Sequence, residues 1–295
     1  MQKSLMRKTV LLTFCLLLNG WAMAQQFVTT GDFDRISKAS IGFGLNTYIG
    51  ELRRISDSKF QSGASVSIGY EHLFTDNIAI RTSFSVYRIQ ADDSLSPIAA
   101  NRQRNINFKA VNVEFVAQAM YYAFRHPRSG YKDRSFINPY FHLGLGVTSN
   151  NPKTSVNLTD YKLRPLALEG VQYGGIALAI PFGVGTSIYV SRYVDIQFEV
   201  QYTIALTGYL DDVSGVYRDP SSFSDTNGVD ATTLGILSDP RVTLSPPLAP
   251  VSAGTARGDL SNDAYVRFGF RIGYYLPKSL YGKSSIRCKV VKRTR

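Results

Sequence analysis

The 295-residue chain is 44% hydrophobic and 12% aromatic, with 17 Phe, 18 Tyr and a formal net charge of +11. Beyond the N-terminal leader no run of 18 consecutive apolar residues occurs, which excludes a helical membrane protein. The two cysteines are too few for a disulfide scaffold or a Cys-based metal centre.

The leader reads as a secretory signal over residues 1–24. Lys3, Arg7 and Lys8 form the basic region, Val10 to Leu18 the apolar core, and Ala22-Met23-Ala24 the small residues before cleavage. Cys15 lies inside that core and is removed with it, leaving Cys288 as the lone mature thiol, so an intramolecular disulfide is excluded. Residues 25–39 form a short periplasmic segment, and 40–276 carry the period-two pattern of strands.

The first strand, Ser40 to Ile49, sends Ile41, Phe43 and Leu45 to one face and Gly42, Gly44, Asn46 and Tyr48 to the other. In the second, Ala64, Val66, Ile68 and Tyr70 alternate with Ser65, Ser67, Gly69 and Glu71. The turn composition Phe74-Thr75-Asp76-Asn77 then leads into the third, where Ile78, Ile80, Thr82, Phe84 and Val86 alternate with Arg81, Ser83, Ser85 and Tyr87. The fourth, Phe108 to Phe124, turns Asn112, Glu114 and Gln118 inward, and a basic connection follows to Ile137. The fifth, Tyr140 to Val147, carries inward His142. The sixth, Ile176 to Val190, contains Pro181, which cannot donate to a ladder and predicts a bulge or bend. The seventh is the clearest: Ile196, Phe198, Val200, Tyr202, Ile204 and Leu206 interleave with Asp195, Gln197, Glu199, Gln201 and Thr203. The eighth alternates Val266, Phe268, Phe270, Ile272 and Tyr274 with Arg267, Gly269, Arg271 and Gly273.

A dense apolar face opposite one rich in Gly, Ser, Gln and charge predicts an all-β chain, an eight-stranded antiparallel up-and-down transmembrane β-barrel in the outer membrane. The links after strands two and six are short, whereas those after one, three, five and seven are long. Short turns face the periplasm in such barrels, so long loops are expected outside and both termini in the periplasm. A barrel of this size is filled by side chains. Inward Glu71, Arg81, Glu114, Glu199, Arg267 and Arg271 are accordingly expected to form an internal charge network that plugs it.

The last loop, about 208–262, is too long for a connector and reads as an external lid or docking surface. At its start Tyr209, Asp211, Asp212 and Ser214 suggest a hydrogen-bonded loop cluster. Calcium is the alternative, although an Asp pair falls short of the six to eight oxygens it takes. The tail, 277–295, holds Lys278, Lys283, Arg287, Lys289, Lys292, Arg293 and Arg295 with no acidic residue among them. It is a candidate site for an acidic protein or anionic lipid, and a solvated tail is the plain alternative. Nucleic acid is a poor partner for a periplasmic segment.

The three histidines, His72, His126 and His142, lie in no nucleophile or metal-ligand motif, so no cofactor, metal or small-molecule substrate is expected and the chain reads as a non-enzyme. A lipid-modifying hydrolase would need His142 beside a serine near the outer rim.

Gly44-Leu45-Asn46-Thr47-Tyr48-Ile49-Gly50-Glu51-Leu52 resembles the first-strand signature of PorG-like outer-membrane barrels of the type IX secretion system. Pro139-Tyr140, Gly144, Gly146 and Asn151-Pro152-Lys153 are similar to that family's fifth strand and turn. Glu169-Gly170, Ile180 to Gly185, and Tyr209 to Ser214 with Tyr217 resemble its later signatures in order. The resemblance implies a non-enzymatic part of a protein-export machine, associated with a periplasmic ring of PorK and PorN type and in some members with gliding motility. A stand-alone adhesin or membrane-stabilising barrel acting through its loops is the other expectation.

Overall fold

The computed structural model describes residues 37–53, 61–125, 135–156, 159–191 and 193–276. The leader, His126 and the basic tail lie outside the described residues.

Eight long strands close on themselves. They are β1 (Ser37–Ile49), β2 (Ser62–Leu73), β3 (Ile78–Asp92), β4 (Asn107–Tyr122), β5 (Ile137–Ser149), β8 (Ile176–Tyr189), β9 (Val194–Ala205) and β10 (Ala264–Tyr275). Every neighbouring pair is antiparallel, β1 pairs with β10, and the β3–β4 ladder completes the ring. The fold is therefore a closed eight-stranded antiparallel barrel. Closure leaves no edge among these strands, the condition for a sheet in hydrocarbon, where an unpaired backbone group finds no water.

The alternation sets the two faces. Outward Ile41, Phe43, Val66, Ile68, Phe84, Val111, Leu143, Leu178, Phe198 and Phe270 are exposed, while their inward neighbours are buried. At the short-turn end the band finishes in exposed Tyr70, Phe74, Tyr121, Phe124 and Phe136, an aromatic girdle of the kind that settles at a membrane interface. The short turns and the first and last described residues share that end, with Leu276 N–H donating to Ser37 O.

One expectation needs correction. Pro181 makes no bulge, because Leu143 faces Phe182 and Gly146 faces Ala179 in one unbroken offset, and the β9 side runs through Pro181↔Thr203 without a slip. The missing N–H costs ladder bonds, and the strands on both sides hold the register. The link after the fifth strand holds a hairpin, β6 (Lys153–Val156) and β7 (Thr159–Lys162), which pairs with β4 at Lys109↔Lys153. The links after the third and last-but-one barrel strands carry helices. Helix α1 (Ala99–Arg104) lies between β3 and β4, and α2 (Ala231–Ser238) lies in the last loop, started by the Asp230 carboxylate capping Thr233 N–H.

The hairpin and the last loop share a small apolar core of Leu163, Leu166, Leu168, Phe223, Leu234 and Leu237. A second cluster, including Tyr48, Leu52, Tyr87, Ile89, Phe108, Leu210 and Val213, fills the loop end of the barrel. A third, Leu73, Ala79, Met120, Tyr122 and Tyr140, fills the turn end.

Candidate functional site

Between the two apolar ends the bore holds charge arranged in tiers. Nearest the turns, Lys38 Nζ lies 3.1 Å from Glu71 Oε1 and 3.0 Å from Asp195 Oδ2, and Tyr122 donates to Glu71 at 2.6 Å. In the middle, Glu199 accepts from Arg81 at 2.8 Å and from Arg271 at 3.0 Å, while Gln118 accepts from Arg81 and donates to His142 Nδ1. Toward the loops, Glu114 accepts from Arg267 at 2.5 Å, with Ser85 and Tyr265 donating to the same carboxylate. All six residues singled out from the sequence point inward and are buried. The partners differ in detail. Glu71 takes Lys38, not an arginine, and Glu199 serves two arginines.

Lys38 lies before the Ser40 start that the alternation predicts, in a strand that begins at Ser37. Carrying the inward phase back two residues from Ser40 finds it. A long inward side chain lies over a glycine of the neighbouring strand. A Cβ on Gly273 would lie 2.6 Å from Lys38 Cδ, and one on Gly185 would lie 2.4 Å from the Tyr140 ring, closer than real contacts allow. Small residues therefore alternate with the long ones they accommodate.

At the loop end the barrel is capped by residues far apart in sequence. The Tyr48 hydroxyl contacts Asp211 Oδ2 at 2.6 Å and Glu51 Oε2 at 3.3 Å, and it also contacts Asp263 Oδ1. Leu210 N–H donates to Asp263, tying the start of the last loop to its end. Asp212, in the left-handed region at φ 69, turns the other way from Asp211. It accepts from Tyr173 at 2.5 Å and faces Arg257, which also bonds Glu169 at 3.0 Å. Glu169 in turn accepts Ser214 N–H and Gly215 N–H.

The hydrogen-bonded cluster expected at Tyr209, Asp211, Asp212 and Ser214 thus exists as two clusters facing apart, so this run presents no single cation cage. Glu51, Asp211 and Asp263 bring carboxylate oxygens within 4.8 Å of one another, but the Tyr48 hydroxyl bonds to all three. Three carboxylates also fall short of a calcium set. Burial, reinforced by the neighbouring negative charges, raises Asp211 and Asp263 well above the ordinary carboxylate range. Burial lifts Glu51 to about 7 and Asp212 to about 6, the latter against the pull of Arg257. The cap carboxyls bind protons more readily than carboxyls in an open chain.

His142 is buried in the middle tier and no serine hydroxyl bonds either of its ring nitrogens. The serine–histidine contact among the described residues is Ser37 Oγ to His72 Nδ1, 2.9 Å, at the opposite end of the barrel. Among the described residues, the arrangement expected of a rim hydrolase is absent around His142.

No family model and no curated protein matches the chain. Among solved structures it is similar to Neisserial surface protein A, at 10% identity over 81% of this chain and 97% of that one, TM-score 0.40. It is also similar to OprG of Pseudomonas aeruginosa, at 11% identity, 83% and 99% coverage and TM-score 0.39. Ail of Yersinia pestis follows at 10% identity, 82% and 99% coverage and TM-score 0.35. The class is set by the chain's own closed ladder, outward apolar band and filled bore: it is a small outer-membrane β-barrel.

Proposed function

We propose that the chain is a non-enzymatic component of the type IX secretion machinery, a barrel that anchors the periplasmic ring of PorK and PorN type to the outer membrane. What supports this reading is the meeting of the family-like segments. Residues 44–52, Glu169-Gly170, 209–214 and Tyr217 are scattered through the sequence, yet Tyr48, Glu51 and Asp211 meet in one cluster and Glu169, Asp212 and Ser214 in a second, both at the loop end of the barrel. A shared pattern whose parts meet at one end of the fold is a stronger resemblance than separate short matches. A bore filled from end to end also suits an anchor better than a conduit.

In this reading the short turns, both termini and the basic tail face the periplasm, with the tail as the docking element. Deleting the gene in its host and restoring either the full chain or a form ending at Pro277 tests it. Full chain alone restoring export of secreted cargo is the expected result; undiminished export in the deletion strain overturns the role.

The folded loop module, with its own apolar core, favours a second reading, a barrel that binds outside the cell through its loops. That reading makes the tail dispensable and the module around α2 essential to surface binding.

A further inference from the structure

Five cations gather on the outer surface where β3, β4 and the β6–β7 hairpin meet. Lys109 faces Lys153 across one ladder and Lys153 faces Lys162 across the next, so three lysines share a row on one face. Arg88 and Arg164 join them around a cleft of about 690 Å³. Like charges directly opposite on a sheet repel. One carboxylate lines the cleft, Asp160, and it is taken up by Lys109 at 2.7 Å and Ser155 at 2.7 Å. Among the described residues no acidic group forms an ion pair with Arg88, Lys153, Lys162 or Arg164. The fold holds together a cation cluster that its own acids leave mostly uncompensated.

The position of the cluster identifies what compensates it. On β3 the outward series Ile78, Ile80, Thr82, Phe84, Val86 ends at Arg88, and on β4 the series descending from Tyr121 to Val111 ends at Lys109. Two residues of strand advance about 7 Å, so both cations stand at the upper margin of the apolar band. Val111 lines the same cleft and is 63% exposed, continuing it onto the lipid-facing wall. The opposite margin carries aromatic residues at its girdle. A ligand here has its acyl chains along the wall and its anionic group in the cleft.

We propose that this cleft binds the phosphate-bearing headgroup of a glycolipid in the leaflet at the loop end of the barrel. Arginine matches phosphate oxygens in a bidentate fork and lysines add point charges, so a headgroup with two phosphates suits the lysine row flanked by Arg88 and Arg164. The inference rests on the barrel's placement in the membrane and not on a role in secretion.

The test is native mass spectrometry of the purified full-length protein in detergent, titrated with lipid A, a bisphosphorylated diglucosamine lipid, or with the same lipid stripped of phosphate. The phosphorylated form is expected to bind at least about tenfold more tightly. Equal binding of the two forms overturns the proposal and needs no variant. A triple variant, Arg88→Gln, Lys153→Gln and Lys162→Gln, leaves the Lys109–Asp160 contact in place and should lose most of that preference. Heat-modifiable gel migration reports that the variant is folded. A folded variant with its preference intact also overturns the proposal.

Discussion

Glu199 shows how much a single residue can hold in a filled bore. It satisfies Arg81, Arg271 and the Tyr140 hydroxyl at once, so removing it strands two buried guanidinium groups. Taking one partner from a buried ion pair costs about 3–5 kcal/mol, because the charge left behind has no solvent to return to. Glu199→Ala is therefore expected to destabilise the refolded barrel by at least that amount in urea titration, and loss below about 1 kcal/mol would mean the tier is solvated. The cap behaves differently, since its carboxyls bind protons more readily when folded than in an open chain. Stability from such groups is greatest below the ordinary carboxylate range and is lost as pH rises through the folded value, for Glu51 about 7. Amide protection in residues 206–263, measured relative to the intrinsic base-catalysed rate, should fall from pH 5 to pH 8, and Glu51→Gln should flatten that fall.

The loop module, β6, β7 and α2, forms a unit whose core is separate from that of the barrel. Leu234→Ala leaves a cavity among Leu163, Leu166 and Leu237, with a cost of about 2–5 kcal/mol confined to the module. Proteolysis should then cut within 208–262 while the barrel keeps its heat-modifiable migration. Loss of that migration would show that module and barrel fold as one. These elements also mark where the sequence stopped being informative. The eight strands were legible because a lipid-facing wall imposes a strict period of two, and the inward phase located the charges. Four-residue strands such as Lys153–Val156 are too short for a period to register, and α2, Ala231 to Ser238, carries Thr and Gly in place of an amphipathic stripe. The cap was legible as residue types but not as partners, because Tyr48 and Asp263 are joined by closure of the ring. At Pro181 local chemistry predicts a bulge or bend, and a register fixed by two long neighbours leaves no bulge.

At the scale of the molecule, apolar clusters close both ends and ion pairs fill the middle, so the barrel is a rod spanning the membrane more than a tube. Planar-bilayer recordings are expected to show no steady porin-sized conductance, and a stable open channel would contradict the filled bore. The rod offers three surfaces to partners: a lipid-facing wall, a folded module at the loop end and the turn end from which the chain continues into the basic tail. The measurement that bears most directly on the anchoring role is affinity purification of the full-length chain in mild detergent beside a form ending at Pro277. Ring proteins of PorK and PorN type are predicted to co-purify with the full-length chain and to be reduced or lost with the shortened one. Their absence from both, with both barrels folded, would contradict the anchor and leave the loop module as the working end of the molecule.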